Sequence, residues 1–283
     1  MILLKNAADL RKWLESQREA GKIIGFVPTM GALHDGHLSL IGFSKKDNDV
    51  TVASIFVNPA QFNDPGDFEK YPVTIEKDIN LLEKVGCDVL FLPSVNEIYP
   101  HGVKAAIHYD LGFIETVLEG KFRPGHFQGV CMVVHRLLEI VQPHKLYLGQ
   151  KDYQQCMVIT RLIELINQKE KIIVKVCPTH REKDGLAMSS RNMRLRADER
   201  IKATGIYQCL SMIKENLKTG SLQKTKENAM LRLEKSGFKV DYVEVVDATT
   251  LQSVDIWDGK QKLVGLVAAF LNEVRLIDNK LLN

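Results

Sequence analysis

Apolar positions recur along the chain in two periods, one helical and one extended. Leu10, Trp13 and Leu14 follow Asn6 at helical spacing, and Gly21 closes the segment, so a first amphipathic helix is predicted there. Ile23–Val27 is a short apolar run of strand character, ended at Pro28, and a loop with Gly31 and Gly36 leads into a helix from His37 to about Lys46. Val50–Val57, rich in β-branched residues, is a second strand, Ile75–Val85 a helix stopped by Gly86, and Asp88–Leu92 a third strand. Pro93–Gly102 reads as loop and Tyr109–Leu111 as a short strand. A helix over Val130–Val141, a strand at Lys145–Leu148, a helix with Val158, Leu162, Leu165 and Ile166 inward, and a strand at Ile172–Val176 follow. Strands alternating with helices predict a Rossmann-like, doubly wound parallel sheet over residues 1–178.

From Ala197 the pattern changes. Two helices, Ala197–Leu217 and Leu222–Lys235, precede strands near Val240–Val246, Leu263–Phe270 and Glu273–Ile277. That order predicts a smaller α+β domain over residues 179–283. The joining stretch from Pro178 to Asn192 is polar and too long for an ordinary connection, which makes it a functional loop or a disordered one. Gly185 is its candidate hinge, and Ser189, Ser190 and Arg191 cluster anion-binding groups at its end.

Composition narrows the class. The chain has 283 residues, 45% hydrophobic and 26% charged, which is enough for one large or two medium domains with a full core. A net charge of +3, with no basic arm, gives no support for nucleic acid as a partner. The five cysteines are scattered without a CxxC spacing and read as buried reduced thiols, so a reducing compartment, the cytoplasm, is expected. The charged N-terminal segment does not read as a signal peptide, and no apolar run approaches the roughly 18 residues of a membrane span.

The candidate chemistry lies where strands end and helices begin. Phe26–Leu40 is strand, glycine-containing loop and helix start, the place where backbone N–H groups and a helix dipole receive an anion. His34 and His37 sit there with Gly36 between them. Two histidines at this spacing can also cap a helix or bind zinc, but no HExxH and no cysteine pair accompany them. Past the second strand, Asn58 is either a turn residue or a ligand contact, while Gln61, a poor turn former, has an amide suited to a hydroxy acid. Arg123 is either a phosphate contact or a solvated loop charge. The segment Gly149-Gln150-Lys151-Asp152 repeats the strand–glycine–helix pattern; Lys151 suits a phosphate, and Asp152 is either an N-cap or a Mg²⁺ ligand.

Taken together, PTMGALHDGH, FVNPAQF, FRPGHFQGV, LGQKDYQQ and PTHREKDGLAMSSRN resemble the pantothenate synthetase (pantoate–β-alanine ligase) family, of the HxGH nucleotidyltransferase superfamily. The motifs stand in the family's order over nearly the whole chain. The resemblance implies a Rossmann-like domain, a C-terminal lid and a homodimer. It also implies ligation of (R)-pantoate and β-alanine with ATP and Mg²⁺ through pantoyl adenylate, releasing AMP and pyrophosphate. On this resemblance His34, His37 and Lys151 contact the reacting phosphates, His37 donating a proton, and Ser189, Ser190 and Arg191 hold the β- and γ-phosphates. Met30, Gly31, Ala32, Leu33, Asp35, Gly36, Gly149, Gln150, Asp152, His180 and Met188 complete the ATP site. Gln61 and Gln155 bind pantoate, Gln61 also lying near β-alanine. Position 180 departs from the family pattern, with His in place of an aliphatic residue; the family contacts adenine there mainly through the backbone. Two rival readings are another HxGH nucleotidyltransferase and a non-catalytic nucleotide-binding module. The paired glutamines argue against a phosphorylated substrate, and intact His34, His37 and Lys151 argue against a mere sensor.

Overall fold

The computed structural model describes residues 1–103 and 107–283. The chain divides into two compact units: residues 1–149 with 155–178, and residues 150–154 with 179–283.

The first unit holds β1 (Ile2–Leu4), α1 (Ala7–Glu19), β2 (Ile24–Thr29), α2 (Asp35–Asp47), β3 (Val50–Ile55), α3 (Pro65–Glu69), α4 (Ile75–Lys84) and β4 (Val89–Phe91). It continues with α5 (Val95–Ile98), α6 (Leu118–Phe122), α7 (His126–Val141), β5 (Lys145–Gly149), α8 (Tyr153–Leu165, apart from its first two residues) and β6 (Ile173–Cys177). Six parallel strands run in the order β1-β4-β3-β2-β5-β6. Helices cover them, and the interior strands β3 and β4 are buried throughout, as in parallel sheets generally. The α1 prediction holds: the Asn6 side chain accepts from the Ala8 N–H at 2.8 Å, and Leu10 and Leu14 are buried.

Because β3 and β4 lie on one side of β2 and β5 on the other, strand order reverses at β2. The loops after β2 and β5 therefore leave the sheet where α/β proteins open a ligand crevice. β2 runs through Pro28 rather than stopping there; it pairs with β5 only at Gly25 and Phe26, so the proline falls where that ladder has already ended.

Other departures from the sequence reading have local reasons, and helix α5 lies within the stretch Pro93–Gly102 read as loop. Strand β1 was not foreseen, being only three residues long and at the sheet edge. Tyr109–Leu111 forms no strand, since the Gln128 side chain takes the backbone bonds: its Oε1 accepts from the Tyr109 N–H at 3.0 Å and its Nε2 donates to the Tyr109 carbonyl at 2.9 Å. The helix expected over Ala197–Leu217 is two, α9 (Ala197–Ala203) and α10 (Gly205–Glu215). At the break the Thr204 hydroxyl donates back to the Ile201 carbonyl at 2.9 Å, the local bonding by which threonine disturbs a helix.

The second unit continues with β7 (Gly220–Ser221), α11 (Gln223–Lys235), β8 (Lys239–Asp247), β9 (Ile256–Trp257), β10 (Leu263–Leu271) and β11 (Val274–Leu281). The antiparallel sheet β11-β10-β8 carries its own core with α10 and α11, around Ile206, Leu210, Ile213 and Leu233.

All five cysteines are buried and free. Burial pushes the thiols of Cys87, Cys177 and Cys209 up to about 11 and that of Cys131 up to about 12, so these four are thiols at neutral pH and poor nucleophiles.

Candidate active site

The loop after β2 is built on a carboxylate that sequence reasoning passed over. Asp78, on the inner face of α4, is fully buried. Its oxygens accept from the N–H groups of Ala32 at 2.9 Å and Leu33 at 2.8 Å, and from the Thr74 hydroxyl at 3.0 Å. These bonds hold Ala32 at φ 49°, a left-handed conformation costly for a residue with a Cβ. The Ala32 and Leu33 amides are thus already bonded within the protein. The signal was present in the sequence, as an acidic residue on the apolar face shared by Ile75 and Leu82.

α2 begins at Asp35, two residues earlier than predicted, with His34 as its N-cap in an extended conformation. The His34 side chain makes no capping bond. The ring of His37, one turn along, lies over that of His34, with centroids 4.0 Å apart and planes tilted by 31°. The two imidazoles are therefore paired at the positive end of the helix dipole, a setting that favours a bound anion.

Gln61 is reached from the other side of the same unit. Asn58 caps the turn Pro59–Gln61, accepting from the Ala60 N–H at 3.2 Å. Its amide nitrogen donates to the Gly129 carbonyl at 3.0 Å and to Gln61 Oε1 at 3.2 Å, and its oxygen accepts from the Tyr99 hydroxyl at 2.8 Å. Asn58, 1% exposed, is therefore a structural residue. Burial pushes the Tyr99 phenol well up, which keeps it a donor in that bond. Gln61 is left with Nε2 at 2.8 Å from Met30 Sδ.

Helix α7 approaches this turn so closely that a Cβ on Gly129 would lie 2.1 Å from the Ala60 oxygen. From the start of α7, His126 Nδ1 donates to the Gln61 carbonyl at 2.7 Å, while its Nε2 faces Arg123 Nη1 at 3.1 Å. Arg123 also lies 3.7 Å from Glu119. It is thus no solvated loop charge but part of a half-buried chain of contacts behind Gln61. The glutamine was legible in the sequence; the Asn58, His126 and Gly129 framework around it was not. Gln155, the other predicted pantoate residue, lies half-buried in the first turn of α8.

In the second unit, Gln150–Asp152 form a single 3₁₀ turn, and Lys151 Nζ stands 3.6 Å from Asp152 Oδ1. The long loop is ordered. Arg181 bridges Ala187, Glu182 N–H donates to the Leu186 carbonyl at 2.8 Å, and Met188 N–H to the His180 carbonyl at 3.1 Å, forming a hairpin. Gly185, the expected hinge, is pinned at the hairpin turn: its N–H donates to the Glu182 carbonyl at 2.9 Å, and a Cβ there would strike the Tyr207 ring at 2.2 Å. The hairpin delivers the chain to Ser189, whose side chain accepts from the Arg191 N–H at 3.3 Å and caps the turn Ser190–Arg194. Ser189, Ser190 and Arg191, the candidate anion-binding residues, thus occupy one capped turn. Among the described residues no three His, Cys, Asp or Glu side chains converge as a metal site, and no helix is long and apolar enough to cross a membrane.

A parallel α/β sheet with a helix N-terminus and paired imidazoles at its switch point defines a Rossmann-like protein suited to an anionic ligand. A family model described as pantoate-beta-alanine ligase matches residues 2–281, and the chain belongs to that family. The pantothenate synthetase of Cytophaga hutchinsonii is 44% identical, over 99% of this chain and 98% of the relative. That of Acetivibrio thermocellus is 45% identical, again over 99% and 98%. The crystal structure of pantothenate synthetase from Thermus thermophilus superposes with a TM-score of 0.89 at 40% identity, covering 99% of each chain. A Francisella tularensis pantoate-beta-alanine ligase, described as complexed with beta-gamma ATP and beta-alanine, superposes at 0.83 with 39% identity, over 99% of this chain and 97% of its own.

Proposed function

We propose that the chain joins (R)-pantoate to β-alanine at the expense of ATP, by way of pantoyl adenylate. A carboxylate cannot be aminated directly, because the amine would have to expel an oxide. In the first step a pantoate carboxylate oxygen attacks the α-phosphorus of ATP, and the bond to pyrophosphate breaks. In the second the β-alanine amine attacks the acyl carbon, the bond to AMP breaks, and the amine gives up a proton.

The single observation that carries this reading is the His34–His37 pair, its rings 4.0 Å apart at the start of α2. In the first step negative charge moves onto the α-phosphate and the departing pyrophosphate, and preplaced donors lower that barrier. His34 and His37 are such donors, His37 giving the proton, and Lys151 adds a fixed positive charge. Ser189, Ser190 and Arg191 hold the β- and γ-phosphates, and residues 179–283 act as the lid that carries them. Met30 to Leu33 line the nucleotide site by shape, since Asp78 already occupies the Ala32 and Leu33 amides. Gln61 and Gln155 take the hydroxyl and carboxylate groups of pantoate, Gln61 also serving β-alanine.

Asp152, beside Lys151, is the carboxylate that would hold a Mg²⁺ ion bound together with ATP, and the ion would offset phosphate charge. The family resemblance further supports a cytoplasmic homodimer.

The test is exchange of labelled pyrophosphate into ATP. Exchange should require pantoate and Mg²⁺ but not β-alanine. Exchange without pantoate, or none under any condition, would remove the assignment.

A further inference from the structure

The last strand of the chain carries two buried polar residues that no step above uses, Asp278 and Asn279. Asn279 is 2% exposed, and every polar atom of its side chain is engaged on one short segment. Its Nδ2 donates to the carbonyls of Gln150 at 2.9 Å and Lys151 at 2.8 Å, and its Oδ1 accepts from Gln150 Nε2 at 3.2 Å. The carbonyls of two successive residues converge on one amide group, which fixes the turn from which the Lys151 side chain departs. A 3₁₀ turn of three residues has little stability of its own, so these bonds determine its shape.

Asn279 is itself held from behind. Its N–H donates to Asp278 Oδ1 at 2.8 Å, and its carbonyl accepts from Arg181 Nη2 at 3.2 Å. Arg181 forks onto Asp278, at 2.6 Å to Oδ2 and 2.9 Å to Oδ1, and Nη1 also donates to the Gly185 carbonyl at 3.0 Å. Its guanidinium lies 4.8 Å from the centre of the Tyr207 ring. Two-pronged pairing of this kind sets direction as well as contact. The strand therefore ties together the Lys151 turn and the hairpin that leads to Ser189.

We infer that Asn279 is a positioning residue for Lys151: it sets the main chain of the Gln150–Lys151 turn and thereby the place of the lysine charge in adenylate formation. The inference rests on the role given to Lys151 under Proposed function.

A double-mutant cycle separates it from a merely structural role. Asn279→Asp keeps the volume but replaces the two N–H donors by acceptors facing carbonyls. It should slow pantoate-dependent pyrophosphate exchange about 10- to 100-fold while pantoate binding, measured by calorimetry, stays within about twofold, since the Asn279 side-chain bonds go to Gln150 and Lys151 and to neither Gln61 nor Gln155. In a Lys151→Ala background the same change should cost little more, because a misplaced charge and an absent one are equivalent. Losses that multiply, or a parallel loss of pantoate affinity, would overturn the positioning role. Unchanged exchange in Lys151→Ala alone would instead refute the reading of Lys151, and the inference with it. Should Asn279→Asp fail to fold, Asn279→Ser, which retains one donor, runs through the same cycle with the same criteria.

Discussion

The loop after β2 and the turn at Ser189 are both anchored on a buried aspartate, but in opposite ways. Asp78 accepts backbone N–H groups from the loop itself, so it shapes the chain that carries the histidines by consuming donors. Asp278 touches neither Ser189 nor Arg191; it holds Arg181, and the arginine braces the hairpin carbonyl at Gly185. Burial pushes the Asp278 carboxyl up, against the pull of the Arg181 guanidinium. A loop whose amides are satisfied by the protein presents a ligand with side chains and a helix end. A hairpin braced through its carbonyls carries the chain into the capped turn of Ser189, Ser190 and Arg191. On the proposed function, the first region is the one that offers imidazole donors to the reacting atoms and the second the one that offers charge to the departing phosphates, so that both would serve the first half-reaction.

The largest effect should come from the first region. His37→Ala is expected to lower the single-turnover rate of adenylate formation by roughly 10²–10³, the usual loss when a donor to the transition state is removed. A rate within a few-fold of wild type would leave His37 as part of the helix start only.

Next come changes around Gln61. Gly129→Ala would put a Cβ 2.1 Å from the Ala60 oxygen and 2.7 Å from Gln61 Cα. The helix and turn must part, at a cost of about 1–3 kcal/mol in stability. Pantoate binding should fall with it. Gln61→Ala and Gln155→Ala should instead spare stability and weaken pantoate roughly 5- to 150-fold, from about 1–3 kcal/mol per lost bond. ATP binding should hardly change. Thermal melts and separate ligand titrations distinguish the two patterns; equal losses for ATP and pantoate in the glutamine variants would mean that the pair is misplaced.

These cases also mark what was legible in the sequence. The alternating pattern yields the parallel sheet and the later antiparallel one because buried strands and amphipathic helices write their period into composition. Paired histidines, Gln61 and Lys151 stand out because such residues at strand ends have little else to do. Their supports do not stand out. Asp78 is hidden in a helix, Asn58 looks like an ordinary turn residue, and Asn279 lies more than a hundred residues from the turn that it holds. Side-chain bonds over such distances leave no local period, which is also why the Gln128 bonds to Tyr109 turned an expected strand into irregular chain.

The smallest effect concerns stability in the first unit alone. His144 Nδ1 accepts the Ile24 N–H at 2.9 Å, which a protonated nitrogen cannot do. Burial, with Arg18 and Lys145 nearby, pushes the imidazole pKa below its ordinary value. The unfolded chain then binds the proton first, so stability falls as pH drops below about 6.5 and through the lowered folded value. Melting temperatures between neutral and mildly acidic pH should decline in the wild type and decline less in His144→Asn. Identical slopes would remove His144 from the pH response.

Arg191→Ala, assayed in the two half-reactions separately, tests most directly whether the second region serves adenylation. Adenylate formation from ATP and pantoate should slow by roughly 10²-fold or more, because the charge opposite the departing pyrophosphate is gone. Attack of β-alanine on pantoyl adenylate supplied directly should stay within a few-fold of wild type, since no β- or γ-phosphate remains to be held. A parallel fall in both half-reactions, together with a lower melting temperature, would contradict the account and make Arg191 a structural support of its unit.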